Sequence, residues 1–176
     1  DLPPMTVVMI ESIDVPTRVQ ELACSPAFVD AMTHELLPAL PELGDWVSAE
    51  RTIIAGASLG GLTAAYAAAR ARHVFGNAYS QSGSFWWPTP GAFGEEPAWL
   101  SRLYAHVDLL PTRFRLEVGL QEHALLGFTR HFRDVLLAKG YAVSYQEYNG
   151  GHDRLWWVAG LVDGLAELVR GRATRS

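Results

Sequence analysis

The feature that most constrains this sequence is a glycine-rich turn between an apolar run and an alanine-rich stretch. Residues 51–55 (RTIIA) have the composition of a buried strand, and residues 59–72 favour a helix. Between them lies Gly56-Ala57-Ser58-Leu59-Gly60, a G-x-S-x-G pattern. Such a strand–turn–helix projects the serine hydroxyl above a sheet beside a helix N-terminus. The pattern predicts Ser58 as a nucleophile and the Leu59 backbone N–H as an oxyanion donor, with a plain glycine turn as the alternative.

The rest of the chain repeats this alternation of short apolar runs and helical stretches. Further strands are predicted at 6–10, 74–80, 113–118 and 143–148, and further helices at 25–37, 123–139 and 154–170. This order predicts the α/β class, with a mostly parallel sheet and helices on both faces. In such sheets the functional loops follow the carboxyl ends of the strands.

Composition excludes several classes of protein. The 176 residues fit one domain, and a hydrophobic content of 49% excludes general disorder. A net charge of −5 and a pI near 5.6 argue against a nucleic-acid binder. The lone Cys24 excludes a disulfide framework, and Pro38 breaks the one candidate H-E-x-x-H zinc motif, so we expect no metal site. No apolar run could span a bilayer and no signal peptide is visible, which predicts a cytoplasmic protein.

A nucleophilic serine needs a base and a group that orients the base. His152 follows the last predicted strand in a glycine-rich turn and is the favoured base, with His123 as a weaker competitor. Glu122 follows the strand at 113–118 and is the favoured acid. The acid alternatives are Glu117, Asp108, Asp134 and Asp153, of which Asp153 is better suited to capping the last helix.

Residues 83–97 (GSFWWPTPGAFGEEP) form an irregular segment rich in glycine, proline and aromatic residues. One interpretation is a surface loop with its rings tucked under. The other is a lid or a substrate wall, because long loops in compact domains are often functional.

The motifs together resemble the enterochelin (ferric enterobactin) esterases, in the esterase-D-like branch of the α/β-hydrolases. The likeness runs along nearly the whole chain. The segments that carry it are LPP…VVMIESID (2–14), Arg18 with Glu21-Leu22, ELLP (35–38), RTIIAGASLGGLTAAYAA (51–68), FGNAYSQSGSFWW (75–87), LEVGLQE (116–122) and GGHDRLWW (150–157). SQSGSFWW and GGHD followed by tryptophan are far more specific than G-x-S-x-G.

The resemblance implies a serine esterase that opens the trilactone of a catecholate siderophore, with Ser58 as nucleophile and His152 as base. It places Arg18, Trp86 and Trp87 near the substrate. Trp157 is a further candidate substrate contact, with core packing of the last helix as its alternative. No cofactor is implied, since iron would enter only as part of the small-molecule substrate. Alternatives are another esterase or acyltransferase of this branch, or an inactive siderophore-binding fragment; the oligomeric state stays open.

The resemblance also changes the interpretation of the chain length. The run at 6–10 (TVVMI) resembles the fourth strand of the α/β-hydrolase order, and the third strand would lie between it and the next. The chain also starts at Asp1 without a methionine. We therefore expect residues 1–176 to form the catalytic portion of the fold, with upstream strands, a second oxyanion donor and an N-terminal domain outside them.

Overall fold

A computed structural model describes residues 4–40, 48–88 and 97–170 of the chain. Its centre is a parallel sheet of four strands in the order β1-β2-β3-β4. The strands are β1 (Ile53–Ala57), β2 (Asn77–Gln81), β3 (Arg113–Gly119) and β4 (Ala142–Tyr148). The helices are α1 (Val15–Leu22), α2 (Pro26–Ala31), α3 (Leu59–Arg70), α4 (Trp99–His106), α5 (Ala124–Lys139) and α6 (Arg154–Arg170), and a π-helical turn (Met32–Leu36) continues α2.

Helices cover both faces of this sheet, as the alternating pattern predicts. On one face the aromatic rings of Tyr104 in α4, Phe114 in β3 and Phe132 in α5 meet edge to face. Side chains alternate along a strand, so Arg115 and Glu117 of β3 point to the opposite face, where α6 lies. The α/β class is therefore confirmed.

The face under α6 is unusually polar for a buried surface. The Tyr79 hydroxyl of β2 lies 2.8 Å from Glu117 Oε2 and 2.9 Å from the carbonyl oxygen of Gly160 in α6, and these two acceptors share its one proton. A Cβ on Gly164 would lie 2.3 Å from the Tyr79 ring. The two glycines of α6 thus let the helix backbone approach this polar row directly.

The strand predicted at 6–10 is wrong. The segment has no regular secondary structure and pairs with no strand among the described residues, and its side chains are exposed, with Met9 at 88%. A strand is stabilised by its neighbour's ladder and by a covered face, and this apolar run has neither in the described part of the chain. The other predicted strands are present with shifted bounds; β2 begins at Asn77, since residues 71–74 form turns after α3.

Two predicted helix-end signals are present in the structure, one at the start of α2 and one at the end of α5. Ser25 Oγ accepts the Phe28 N–H at 3.3 Å ahead of Pro26, and Gly140 ends α5 with a φ of 88°. The short helices α1 and α4 were not predicted. In the segments described, no helix is both long and apolar enough to cross a bilayer.

Candidate active site

The turn after β1 has the geometry that the G-x-S-x-G pattern predicts. Ser58 adopts φ 58° and ψ −120°, a strained conformation that non-glycine residues rarely occupy. A Cβ on Gly56 would lie 2.5 Å from the backbone of Gly60, so only glycine fits at that position. Gly60 itself has open space where a Cβ would stand, so a side chain would clash on one side of the serine only.

Ser58, His152 and Glu122 form a continuous hydrogen-bonded line. The Nε2 atom of His152 lies 3.1 Å from Ser58 Oγ, and its Nδ1 atom lies 2.6 Å from Glu122 Oε2. An ionised Glu122 accepts the Nδ1 proton, which leaves the Nε2 lone pair facing the serine hydroxyl. This is the tautomer that a general base needs. The structure thus brings together the three residues that the sequence favours.

The Glu122 carboxylate is buried, whereas the His152 side chain keeps 40% of its surface exposed. The second carboxylate oxygen of Glu122, Oε1, accepts hydrogen bonds from Ser82 Oγ at 2.6 Å, Gly119 N–H at 2.7 Å and Tyr148 OH at 3.2 Å. Burial raises the pKa of Tyr148 to about 12, which keeps its hydroxyl a neutral donor at neutral pH. Neutral donors therefore stabilise the charge without cancelling it.

All four strands contribute to this site at their carboxyl ends. Ser58 follows β1, Ser82 follows β2, Glu122 follows β3, and His152 follows β4. Leu59 is the first residue of α3, so its N–H has no acceptor within the helix and is available to an anion. This position suits the predicted oxyanion donor.

The alternative acids and base lie elsewhere. Glu117 is bound to Arg115 under α6, and Asp153 Oδ1 caps α6 by accepting the Leu155 N–H at 2.8 Å, as expected. Asp134 pairs with its neighbour Arg133, and Asp108 lies on the chain before β3. His123 is exposed at the start of α5. None of them is hydrogen-bonded to Ser58 or His152 in the regions that the structure covers.

The predicted substrate residues are placed to different extents. The loop after β2 passes the nucleophile, since the Ser84 N–H donates to the Ser58 carbonyl at 3.0 Å, and Trp86 and Trp87 follow directly. Trp86 is 38% exposed and Trp87 packs partly on the core, and residues 89–96 of the predicted lid lie outside the described residues. Arg18 lies on α1, which packs against α3.

The tryptophans of α6 differ from each other. Trp157 is half-buried, donates its Nε1–H to Ser82 Oγ at 3.0 Å and sets its ring edge-on to His152, with 4.8 Å between centroids. Trp156 stacks on Tyr148 with 5.3 Å between centroids. Sequence reasoning missed Ser82 and Tyr148 as site residues, although both stand at carboxyl strand ends, like the three residues of the triad.

The structure offers no competing nucleophile or cation site in its described ranges. Burial raises the pKa of the Cys24 thiol to about 12, so this cysteine is an inert core residue. No group of three or more His, Cys, Asp and Glu side chains stands close enough to hold a metal ion among the residues described.

Comparison with known proteins places this geometry in a family. A family model described as "Putative esterase" matches residues 2–168. The chain belongs to this esterase family. The iron(III) enterobactin esterase of Escherichia coli K12 is 37% identical over 95% of this chain and 42% of its own length.

Solved structures give the same result. The enterobactin esterase from Shigella flexneri, crystallised in the presence of 2,3-dihydroxy-N-benzoyl-serine, superposes with a TM-score of 0.87 at 35% identity, over 97% of this chain and 45% of that one. Its structure in the presence of enterobactin gives 0.86 at 33% identity, over 97% and 44%. The fold is thus that of the esterases of the α/β-hydrolase type. The chain spans less than half the length of these relatives.

Proposed function

We propose that this chain is the catalytic part of a serine esterase that hydrolyses the ester bonds of a catecholate siderophore, of the enterobactin type. The observation that carries the proposal is the Ser58–His152–Glu122 line, with 3.1 Å from serine to histidine and 2.6 Å from histidine to glutamate. The similarity of the chain to iron(III) enterobactin esterases supports the substrate class.

In this mechanism His152 Nε2 takes the Ser58 proton as Oγ attacks the ester carbonyl carbon. The carbonyl oxygen becomes an oxyanion that accepts the Leu59 N–H, and the partial positive charge at the start of α3 favours that negative charge. The intermediate collapses as His152 protonates the departing alkoxide of the substrate serine. A water molecule, deprotonated by His152, then attacks the acyl carbon. The bond to Ser58 Oγ breaks, His152 returns the proton to Oγ, and the acid is released. Glu122 stabilises the imidazolium in both halves.

The substrate's chemistry fits two tryptophans of the loop after β2 and an arginine of α1. A ferric tris-catecholate carries net negative charge and flat aromatic rings. Trp86, which is 38% exposed, and Trp87 offer indole faces to such rings, and Arg18 offers a guanidinium that binds anions and stacks on aromatics. Iron would enter only as part of the substrate and not as a cofactor of the enzyme.

The test compares the wild type with Ser58→Ala on p-nitrophenyl butyrate and on ferric and iron-free enterobactin, with product chromatography. We expect the variant to lose turnover on all three substrates. Ser101→Ala, a matched removal of a buried hydroxyl in α4, should retain it. Retained hydrolysis by Ser58→Ala would contradict the mechanism.

The alternatives make different predictions. Another esterase or acyltransferase of this branch would turn over thioesters or feruloyl esters faster than enterobactin in a substrate panel. An inactive siderophore-binding fragment would bind ferric enterobactin, yet a fluorophosphonate probe would leave Ser58 unlabelled. Labelling at Ser58 together with enterobactin cleavage supports the proposed function over both.

A further inference from the structure

The Ser82 hydroxyl lies between the acid of the triad and helix α6. Ser82 directly follows β2, is fully buried and adopts a positive φ of 50°. Its Oγ donates to Glu122 Oε1 at 2.6 Å and accepts from Trp157 Nε1 at 3.0 Å. An indole nitrogen can only donate and an ionised carboxylate can only accept, so the bonds run in one direction from Trp157 to Glu122.

Trp157 is fixed at two further points. Its carbonyl accepts a bond from the Gln81 side chain at 2.8 Å, which ties this turn of α6 to the end of β2. Its ring meets the His152 ring at an angle of 87°. The indole N–H is therefore engaged inside the protein, and the ring supports the imidazole from the side.

We infer that Ser82 and Trp157 are positioning residues that hold the Glu122 carboxylate for His152. The inference rests on the proposed function, because it concerns the same triad. With Oε1 held by Ser82, Gly119 and Tyr148, the carboxylate plane is set and Oε2 faces His152 Nδ1. A glutamate side chain has freely rotating bonds, and each of these donors reduces the cost of keeping it in one conformation during turnover.

This role differs from the substrate contact predicted for Trp157, and kinetics separate the two. A lost substrate contact raises KM, whereas a badly oriented triad lowers kcat and leaves KM nearly unchanged.

The test uses Ser82→Ala, which removes the hydroxyl, Trp157→Phe, which removes the N–H but keeps a ring beside His152, and the double variant. Ser101→Ala and Trp99→Phe are matched controls on α4, where Ser101 Oγ has no partner among the described residues.

The measurements are kcat and KM on p-nitrophenyl butyrate and on ferric enterobactin, the rate of fluorophosphonate labelling, and the thermal midpoint. We expect Ser82→Ala to lower kcat roughly tenfold and Trp157→Phe roughly threefold, as lost hydrogen bonds to or behind a charged group do, with KM within about twofold. Trp157 acts through Ser82, so the double variant should match Ser82→Ala alone. The controls should keep wild-type kinetics.

Several outcomes would overturn the inference. A raised KM with unchanged kcat in Trp157→Phe would make Trp157 a substrate contact. Additive losses in the double variant would show that the two residues act separately. Should Ser82→Ala not fold, the kcat and KM of Trp157→Phe still decide between positioning and substrate binding. A wild type that the probe does not label at Ser58 would overturn the proposed function and this inference together, whereas a labelled wild type with unaffected variants would overturn the inference alone.

Discussion

Two glutamates near the end of β3 are both buried, and the protein stabilises their negative charges in opposite ways. Glu117 Oε1 accepts two bonds from the Arg115 guanidinium, from Nη2 at 2.6 Å and from Nε at 3.1 Å, so its charge is cancelled by a neighbour on the same strand. Glu122 accepts only from neutral groups on Oε1, and its other oxygen faces His152. A cancelled charge can hold a helix in place, whereas a charge left uncancelled can stabilise an imidazolium.

The sharpest test of this difference is Glu122→Gln. An amide NH₂ facing Nδ1 would favour the tautomer with the proton on Nε2, so His152 could no longer accept the serine proton. We expect kcat to fall roughly a thousandfold to ten thousandfold, the order seen when the acid of a serine triad becomes an amide. The thermal midpoint should change little, because size and burial are kept. Activity within tenfold of the wild type would show that Glu122 is not the acid.

Glu117→Gln should give the reverse pattern. Removing this charge leaves the buried Arg115 with Glu167, a partly exposed partner, as its remaining carboxylate. We expect a loss of about 3 kcal/mol in the free energy of unfolding, the lower end for breaking a buried pair. Urea denaturation measures it, while kcat of the folded variant should stay near wild type. A variant that is stable but inactive would place Glu117 in the catalytic machinery and remove the contrast.

The contrast also shows what sequence can predict about a site. Ser58, Glu122 and His152 each follow a strand, and parallel strands bring their carboxyl ends to one edge, so position along the chain was enough to favour them. Ser82 also follows a strand, but its role depends on where the Trp157 indole points, which is set by how α6 packs. Packing of this kind leaves no periodic signal.

The error at residues 6–10 has the same origin. An apolar run of five residues has strand composition whether or not a neighbouring strand is available to pair with it. Composition and spacing describe one segment at a time, whereas a hydrogen-bond ladder forms only between two strands. The site residues after the strands were predictable because each depends on one segment only. Each turn carries its own glycines, and its position requires only the strand before it.

Helix α6 joins the two glutamates, because it covers Glu117 and carries Trp157. Gly164→Ala would place a Cβ 2.3 Å from the buried Tyr79 ring, so α6 must move away from the sheet. We expect a loss of about 1–2 kcal/mol in thermal or urea unfolding from this overpacking. Gly127→Ala on α5, where a Cβ meets nothing within 4 Å, should instead stabilise by about 0.5–1 kcal/mol through helix propensity. Equal effects of the two variants would mean that α6 does not pack this closely.

A third glutamate extends the comparison to the surface, where the smallest effect is expected. Glu147 receives two bonds from Arg130, at 2.7 and 2.8 Å, and these hydrogen bonds lower its pKa from 4.5 to about 2. Its folded pKa lies below its unfolded one, so the pair contributes stability above about pH 4.5 and loses it as the pH falls towards 2.

Water screens this exposed pair, and Glu147→Gln should cost less than about 1 kcal/mol at pH 7. Urea unfolding at pH 7 and at pH 3 measures this cost, which should shrink at the lower pH. A cost as large as that of Glu117→Gln would mean that burial is not what separates the structural carboxylates of this fold.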